Sequence, residues 1–96
     1  MPSKEDNIRV LKNYIEGPFS GWYVGITNDP DQRLFTGHNV SRENGYYLCC
    51  PCSSDDVARE IEQYFLNLGC DGGPGGGNET SRYVYVYKKT RTTVDE

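Results

Sequence analysis

The sequence contains no long apolar run. None approaches the roughly 18 residues that a membrane-spanning helix needs, and the first six residues, Met-Pro-Ser-Lys-Glu-Asp, are too polar for a secretory signal peptide. We therefore expect a cytoplasmic protein that does not insert into membranes. A chain of 96 residues also leaves little room for a second core, which predicts a single domain over residues 1–96.

Positive charge is scarce, since 10 Lys and Arg face 14 Asp and Glu, for a net charge of −4. This balance argues against tight binding to a long polyanion, because non-specific binding to nucleic acid depends on basic residues that neutralise phosphates. The charges are unevenly distributed, however. Residues 82–91 include Arg82, Lys88, Lys89 and Arg91 and no acidic residue, so a local basic edge can exist on this acidic protein.

The cysteine pattern matches neither a disulfide framework nor a zinc knuckle. The four cysteines occupy positions 49, 50, 52 and 70, there is no secretory signal, and adjacent cysteines rarely serve one tetrahedral site. We interpret them as buried thiols that act as small hydrophobic side chains. A zinc site made of Cys50, Cys52, Cys70 and His38 is the disfavoured alternative.

Three segments are predicted to be helices, the first and third from the apolar spacing of amphipathic helices and the second from its cap and Pro30 near its first position, and each follows residues that can cap a helix. They are residues 7–16, 30–35 and 55–68, with candidate caps Asp6 or Asn7, Asn28 or Asp29, and Ser53 or Ser54. Gly17-Pro18 ends the first helix and Gly69 ends the third.

Three other segments alternate as strands do, at residues 22–27, 46–52 and 82–89. Gly25 inside the first strand indicates that another group approaches its backbone closely, and Pro51 predicts that the second strand ends at a sheet edge or a bulge. In the third strand tyrosines and valines alternate, and we expect the valine face to meet the core. The order α-β-α-β-α-β predicts an α+β fold, with a small three-stranded, mostly antiparallel sheet flanked by helices.

Two segments are expected to lie outside regular structure. Residues 70–78 are rich in glycine but lack the GxxxxGK[ST] pattern of a phosphate-binding loop, so we interpret them as a flexible or tightly turning loop. With the core at residues 7–89, the last residues, 90–96, are expected to form a flexible tail.

One group of residues, between Tyr23 and His38, indicates a possible function. Tyr23-Val24-Gly25 lies on the first predicted strand and is followed by a polar turn and a predicted helix. Arg33 comes ten positions after Tyr23, and His38 comes fifteen positions after it. This arrangement resembles the second motif of the GIY-YIG nuclease superfamily. The family next has a strand and a helix with an essential Glu, for which Glu62 is the best match because an aromatic and aliphatic run follows it. Glu60 is the second choice, and the resemblance covers about residues 21–69.

The first motif of that family, Gly-Ile-Tyr on a strand, is missing before Tyr23, where residues 8–19 predict a helix and a Gly-Pro turn. Our hypothesis is that the C-terminal strand replaces it, as in a circular permutation. Tyr83-Val84-Tyr85 or Tyr85-Val86-Tyr87 would then supply the missing tyrosine, with Tyr85 as the preferred candidate. The hypothesis requires the last strand to pair beside the strand at residues 22–27.

The resemblance implies metal-dependent hydrolysis of phosphodiester bonds in DNA or RNA. Glu62 would hold Mg²⁺ or Mn²⁺, Arg33 would bind the phosphoryl oxygens, and Tyr23 would contact the nucleophilic water as base or relay. His38 would assist that step or orient the phosphate, and Tyr85 would complete the site.

Each of these residues also has an ordinary structural interpretation. Tyr23 would be a half-buried strand residue, Arg33 an exposed partner of Asp29, His38 a helix-end residue bonded to a carbonyl, and Glu62 a solvated surface residue. On this view the chain is a catalytically inactive GIY-YIG-like binding or interaction module, because a fold does not fix a function. A nuclease without an appended DNA-reading domain would need a partner protein for substrate affinity, or a weakly bound substrate.

Overall fold

The computed structural model describes residues 3–72 and 81–95. The elements along the chain are α1 (Lys4–Tyr14), a 3₁₀ turn (Phe19–Gly21), β1 (Trp22–Thr27), a π-helix (Gln32–Gly37), β2 (Tyr47–Pro51), α2 (Asp55–Leu68) and β3 (Tyr83–Lys88). The predicted α+β fold is confirmed. Within the described ranges, every helix is too short or too polar to cross a bilayer. Most of the predicted glycine-rich loop, residues 73–78, lies outside the described residues.

Helix α2 begins and ends at the predicted residues. Of the two candidate caps, it is Ser54 whose hydroxyl accepts a hydrogen bond from the Val57 N–H, at 3.2 Å. Asp55 and Asp56 follow in the first turn, where the helix dipole favours negative charge. Gly69 terminates the helix with φ at +117°, a backbone conformation that glycine adopts without strain.

Helix α1 begins one turn earlier than predicted. The Ser3 hydroxyl, and not a side chain of Asp6 or Asn7, caps it by accepting from the Asp6 N–H at 3.1 Å. The predicted cap is wrong because Asn7 serves a tertiary contact instead. It is buried, and its amide donates to the Pro51 carbonyl at 2.9 Å, which ties α1 to the end of β2.

The sheet is antiparallel, with strand order β1-β3-β2. The last strand of the chain is therefore the central one, and it pairs along the whole of β1, with Trp22 opposite Lys88 and Thr27 opposite Tyr83. This is the pairing that the circular-permutation hypothesis requires. Strand β2 is an edge strand that ends at Pro51, as predicted.

Side chains from the two faces of the sheet form separate clusters, because successive residues of a strand point to opposite faces. On one face, the valines of β3 pack with Leu11 of α1 and with Ile61 and Phe65 of α2, which we call the helix-side core. The valine face thus meets the core, as predicted. The opposite face forms a tyrosine cluster, whose members are Tyr23, Leu34, Val40, Tyr85 and Tyr87. It is also buried.

Three of the four thiols are core residues. Cys50, Cys52 and Cys70 belong to the helix-side core, and burial raises the pKa of Cys50 and of Cys70 to about 11. His38 contacts the tyrosine cluster on the other face of the sheet, so the sheet separates it from these thiols. Cys49 is exposed, and for that residue the prediction of a buried thiol is wrong.

Candidate active site

Gly25 lets a tyrosine ring lie across strand β1. A Cβ atom at this position would be 2.5 Å from Cζ of Tyr85, the residue opposite it on β3. No real side chain tolerates that distance, so the close approach predicted for Gly25 is confirmed, and the approaching group is Tyr85.

The helix after β1 begins as predicted and then widens. The Asp29 carboxylate accepts from the Gln32 N–H at 3.2 Å, and helical backbone begins at Pro30. From Gln32 the helix is of the π type, so the His38 N–H bonds to the carbonyl of Arg33, five residues earlier, at 2.9 Å. Such widened turns are rare and recur at functional sites. This one provides both Arg33 and His38.

The hydroxyl of Tyr85 is the meeting point of the candidate residues. It lies 3.4 Å from Nε of Arg33 and 2.7 Å from Nε2 of His38. Arg33 therefore bonds to Tyr85, whereas its ordinary interpretation had it paired with Asp29. Burial raises the pKa of Tyr85 to about 12, against an opposing effect of Arg33, so this hydroxyl is protonated at neutral pH.

The hydrogen bonds of His38 define its tautomer. Nδ1 lies 2.6 Å from the carbonyl oxygen of Val94, and because a carbonyl only accepts, Nδ1 must carry the hydrogen. Burial lowers the pKa of His38, so the ring is neutral at pH 7 and Nε2 is an acceptor. The bonds then run in one direction, from Arg33 Nε–H to the Tyr85 oxygen and from Tyr85 O–H to His38 Nε2.

Two further tyrosines surround the imidazole. The ring of Tyr23 lies 4.7 Å from that of His38 and 5.2 Å from that of Tyr87, centroid to centroid. The Tyr87 hydroxyl donates to Oδ1 of Asp95 at 2.6 Å, and burial together with that carboxylate raises the pKa of Tyr87. Tyr23 and Tyr85 are only 2 % and 1 % exposed, so the aromatic part of the site is closed to solvent.

The two candidate glutamates have different environments in the structure. Glu60 is exposed and forms an ion pair with Lys4 at 2.9 Å. Glu62 is half-buried, and desolvation raises its pKa although Arg59 opposes the shift. The charge of Glu62 is the last-ranked of the causes that shift the pKa of Tyr85. Glu62 does not line the cavity beside Arg33, and its helix packs on the other face of the sheet from the tyrosine cluster.

A surface cavity of about 260 Å³ adjoins this cluster at the end of β1, and its lining includes Thr27, Gln32, Arg33 and Thr36. Arg33 thus connects the cavity with the buried Tyr85 hydroxyl. Neither Tyr23 nor Tyr85 lines the cavity, whereas Asp29 lines it together with Arg33.

The two lysines of the basic edge, Lys88 and Lys89, are not next to this cavity. Lys88 is paired with Trp22, at the other end of β1 from Thr27, roughly 17 Å away at the rise of a strand. The Lys89 ammonium lies 3.3 Å from the Asp71 carboxylate, which neutralises part of the edge. Among the residues that line the cavity, the positively charged one is Arg33.

Sequence reasoning missed the contacts from the C-terminal residues. Val94 and Asp95 lie in the segment predicted to be a flexible tail, yet both bond to groups of the site. Composition gives no signal for the Val94 contact, because a main-chain carbonyl bonds regardless of its side chain, and the Asp95 carboxylate gives no local sign that its partner is Tyr87. Flexibility of residues 90–96 stays a prediction, and these bonds would have to break for the segment to move away.

The sequence predicts Glu62 as the ligand of a divalent cation. In the ranges that the structure describes, no group of three or more His, Cys, Asp and Glu side chains could hold an ion. A single carboxylate such as Glu62 suits Mg²⁺, which commonly binds through one or two carboxylates together with substrate phosphates and water.

Comparisons with protein-family models, curated proteins and solved structures find no match to this chain. What the protein does must therefore be inferred from its own residues.

Proposed function

We propose that this protein hydrolyses phosphodiester bonds in DNA or RNA, as a circularly permuted GIY-YIG-like nuclease. The observation that carries the proposal is the convergence on the Tyr85 hydroxyl. Arg33 and His38, from the π-helix and the residue after it, bond to a tyrosine of β3 that lies across Gly25 of β1. Convergence of cationic, proton-accepting and hydroxyl groups beside a cavity is what phosphodiester chemistry requires.

Arg33 supplies positive charge for the phosphate. Its guanidinium bonds to Tyr85 through Nε and borders the cavity, so its terminal nitrogens can bind phosphoryl oxygens in the bidentate manner that suits arginine. The Tyr85 hydroxyl raises the pKa of Arg33 further, which keeps the group charged at any working pH.

Tyr85 and His38 supply a route for the proton of the attacking water. With a pKa of about 12, Tyr85 has no free phenolate to act as base at neutral pH. It can act as a relay, in which its oxygen accepts a proton from water while its own proton passes to Nε2 of neutral His38, 2.7 Å away. Tyr23 packs against the imidazole and shields it from solvent.

Glu62 would hold Mg²⁺ or Mn²⁺, and the ion, when bound, stabilises negative charge on the phosphoryl oxygens. The net charge of −4 gives the chain little general affinity for nucleic acid. The proposal therefore includes a partner protein that supplies substrate affinity, or a weakly bound substrate, and a cytoplasmic location.

A second candidate function is a catalytically inactive binding module with the same fold. The burial of Tyr23 and Tyr85, at 2 % and 1 % exposed, favours it, because a relay hydroxyl must reach the reacting water. On this account the hydrogen-bonded cluster only stabilises the fold.

Incubation of the purified protein with plasmid DNA, single-stranded DNA and RNA, each with Mg²⁺ or Mn²⁺, tests the proposal. We expect cleavage that Arg33→Ala abolishes. Arg9→Ala is the matched control, because Arg9 is exposed on α1 and pairs with Asp6, so its activity should equal that of the wild type. Binding without cleavage supports the module. Cleavage that survives Arg33→Ala contradicts the assigned site.

A further inference from the structure

The last described residues lie across the candidate site. Residues 90–95, which we call the C-terminal strap, bond to the π-helix end and to β3. The bonds are Val94 N–H to the His38 carbonyl at 2.7 Å, His38 Nδ1 to the Val94 carbonyl at 2.6 Å, Asn39 Nδ2 to the Thr92 carbonyl at 2.9 Å and Tyr87 hydroxyl to Asp95 Oδ1 at 2.6 Å.

The main chain of Val94 holds His38 at two points. Its N–H donates to the His38 carbonyl, and its carbonyl accepts from Nδ1 of the same residue. The paired bonds fix the position of the imidazole, and the second one also fixes its proton, since the group bonded to one ring nitrogen decides which nitrogen is protonated.

A second group near Nδ1, the Tyr87 hydroxyl, also favours a hydrogen on that nitrogen. The Tyr87 oxygen lies 3.2 Å from Nδ1, but its proton is engaged by the strap, at Asp95 Oδ1 or at the Val94 carbonyl. Tyr87 can therefore only accept from Nδ1. Every group within hydrogen-bond distance of Nδ1 in the described residues is then an acceptor toward it.

We propose that the C-terminal strap is a positioning element, which fixes His38 as the Nδ1–H tautomer and so directs the Tyr85 O–H toward His38 Nε2. The Val94 carbonyl sets the tautomer, and Asp95 supports it by holding the Tyr87 proton. Val94 and Asp95 are thus positioning residues, not catalytic ones. Only the catalytic use of the tautomer rests on the proposed function, because the tautomer itself follows from the contacts.

The test uses nitrogen NMR of the full-length, isotope-labelled protein. The chain has one histidine, so all imidazole signals belong to His38, and only Nδ1 and Nε2 have to be distinguished. We expect Nδ1 to be protonated and Nε2 to be the acceptor, with a scalar coupling through the hydrogen bond from Nδ1 to the carbonyl carbon of Val94. An Nε2–H tautomer, or an Nδ1 with no coupling to Val94, overturns the inference.

Two variants test the cause. Val94→Pro removes the N–H that bonds to His38 and displaces the carbonyl, so the ring should lose its pure Nδ1–H state. Val94→Ala keeps both main-chain groups and should match the wild type, as should Tyr87→Phe if the carbonyl is decisive. The inference is overturned if folded Val94→Pro keeps a pure Nδ1–H state. It is also overturned if Tyr87→Phe loses the Nδ1–H state. If Val94→Pro does not fold, the wild-type coupling and Tyr87→Phe decide.

The same variants separate this inference from the proposed function. In an active protein, Val94→Pro should lower kcat on the order of tenfold, the effect of one hydrogen bond, without raising KM. An Nδ1–H tautomer in a protein that cleaves nothing contradicts the nuclease and leaves the strap in place. Cleavage that is unchanged in Val94→Pro, although the tautomer changes, overturns the positioning role.

Discussion

At the scale of single residues, the candidate site depends on the side chain of Tyr85. The Tyr85 hydroxyl receives a hydrogen bond from Arg33 and gives one to His38, and both bonds need the ring to lie across Gly25. A glycine in a strand interior costs stability, so its presence here is explained by the ring that it admits.

Gly25→Ala should destabilise the protein and disturb the cluster. The added methyl group would overlap the Tyr85 ring, and overpacking of a buried site typically costs about 1–3 kcal/mol. Urea unfolding measures the loss. Gly21→Ala is the control, because nothing lies within 4 Å of a Cβ at that position. Equal unfolding midpoints for the two variants would show that Tyr85 does not lie across Gly25.

The contribution of His38 to the stability of the protein should fall as the pH is lowered below neutral. Burial lowers the pKa of His38, so below about 6.5, the ordinary histidine pKa, the unfolded chain binds a proton that the folded protein does not. The slope is at most about 1.4 kcal/mol per pH unit from this group, and it ends at the folded pKa.

Unfolding free energies at a series of pH values between 7.5 and 5 check this, with His38→Gln as the comparison. The difference in slope isolates His38 from Glu62, whose raised pKa acts in the opposite direction. That carboxyl stabilises the fold at low pH, and the contribution disappears as the pH rises through its folded pKa. Identical slopes in the two proteins would contradict a lowered pKa for His38.

At the scale of elements, helix α2 positions Glu62, and its start depends on a single cap. Ser54→Ala should reduce stability by about 1 kcal/mol, because it leaves the Val57 N–H without the hydroxyl that accepts from it. Ser53→Ala is a close control, since the exposed Ser53 precedes the cap by one residue. Thermal unfolding compares the two, and an equal loss for both would place the cap elsewhere.

Local patterns predicted most of these elements. The bounds of β1 and α2 follow from apolar alternation, from Ser54 and from Gly69, all of which act over a few residues. The π-type turn was not predicted. Apolar spacing over six residues does not distinguish an α-helix, whose N–H groups bond to the fourth preceding carbonyl, from a π-helix, whose N–H groups bond to the fifth. The Ser3 cap was not predicted either, because it lies a turn before the first apolar residue of α1.

Within the candidate site, a short-range motif pointed to Tyr23, Arg33 and His38, and the resemblance to the GIY-YIG family pointed to Glu62. Their partners could not be predicted in the same way. The bond from His38 to Val94 spans 56 residues and uses a main-chain carbonyl, which any amino acid carries. Tyr85 was predicted only because the strand that should precede Tyr23 is missing.

At the scale of the whole molecule, the C-terminal residues complete both the sheet and the site. Strands β1 and β2 pair with β3 and not with each other, so the sheet cannot assemble before the last strand is available. The same segment then provides Tyr85 and the strap. Strand β3 therefore takes the central place in the sheet, and it pairs with β1 as the hypothesis of circular permutation requires.

The acidic charge of the whole molecule makes nucleic acid a poor first substrate for testing the chemistry. With a net charge of −4, weak binding could hide a competent site. A small phosphodiester avoids this problem, because its hydrolysis needs the site but not an extended basic surface.

The most direct measurement is therefore the hydrolysis of bis(4-nitrophenyl) phosphate with Mg²⁺ or Mn²⁺ by the wild type, Glu62→Gln and Glu60→Gln. The matched pair lies on one helix, but Glu62 is half-buried and is the proposed metal ligand, whereas Glu60 is exposed and pairs with Lys4. We predict metal-dependent release of nitrophenolate by the wild type and by Glu60→Gln, and a rate at least about a hundredfold lower in Glu62→Gln. No release by the wild type, or equal rates in the two variants, would contradict the proposed function.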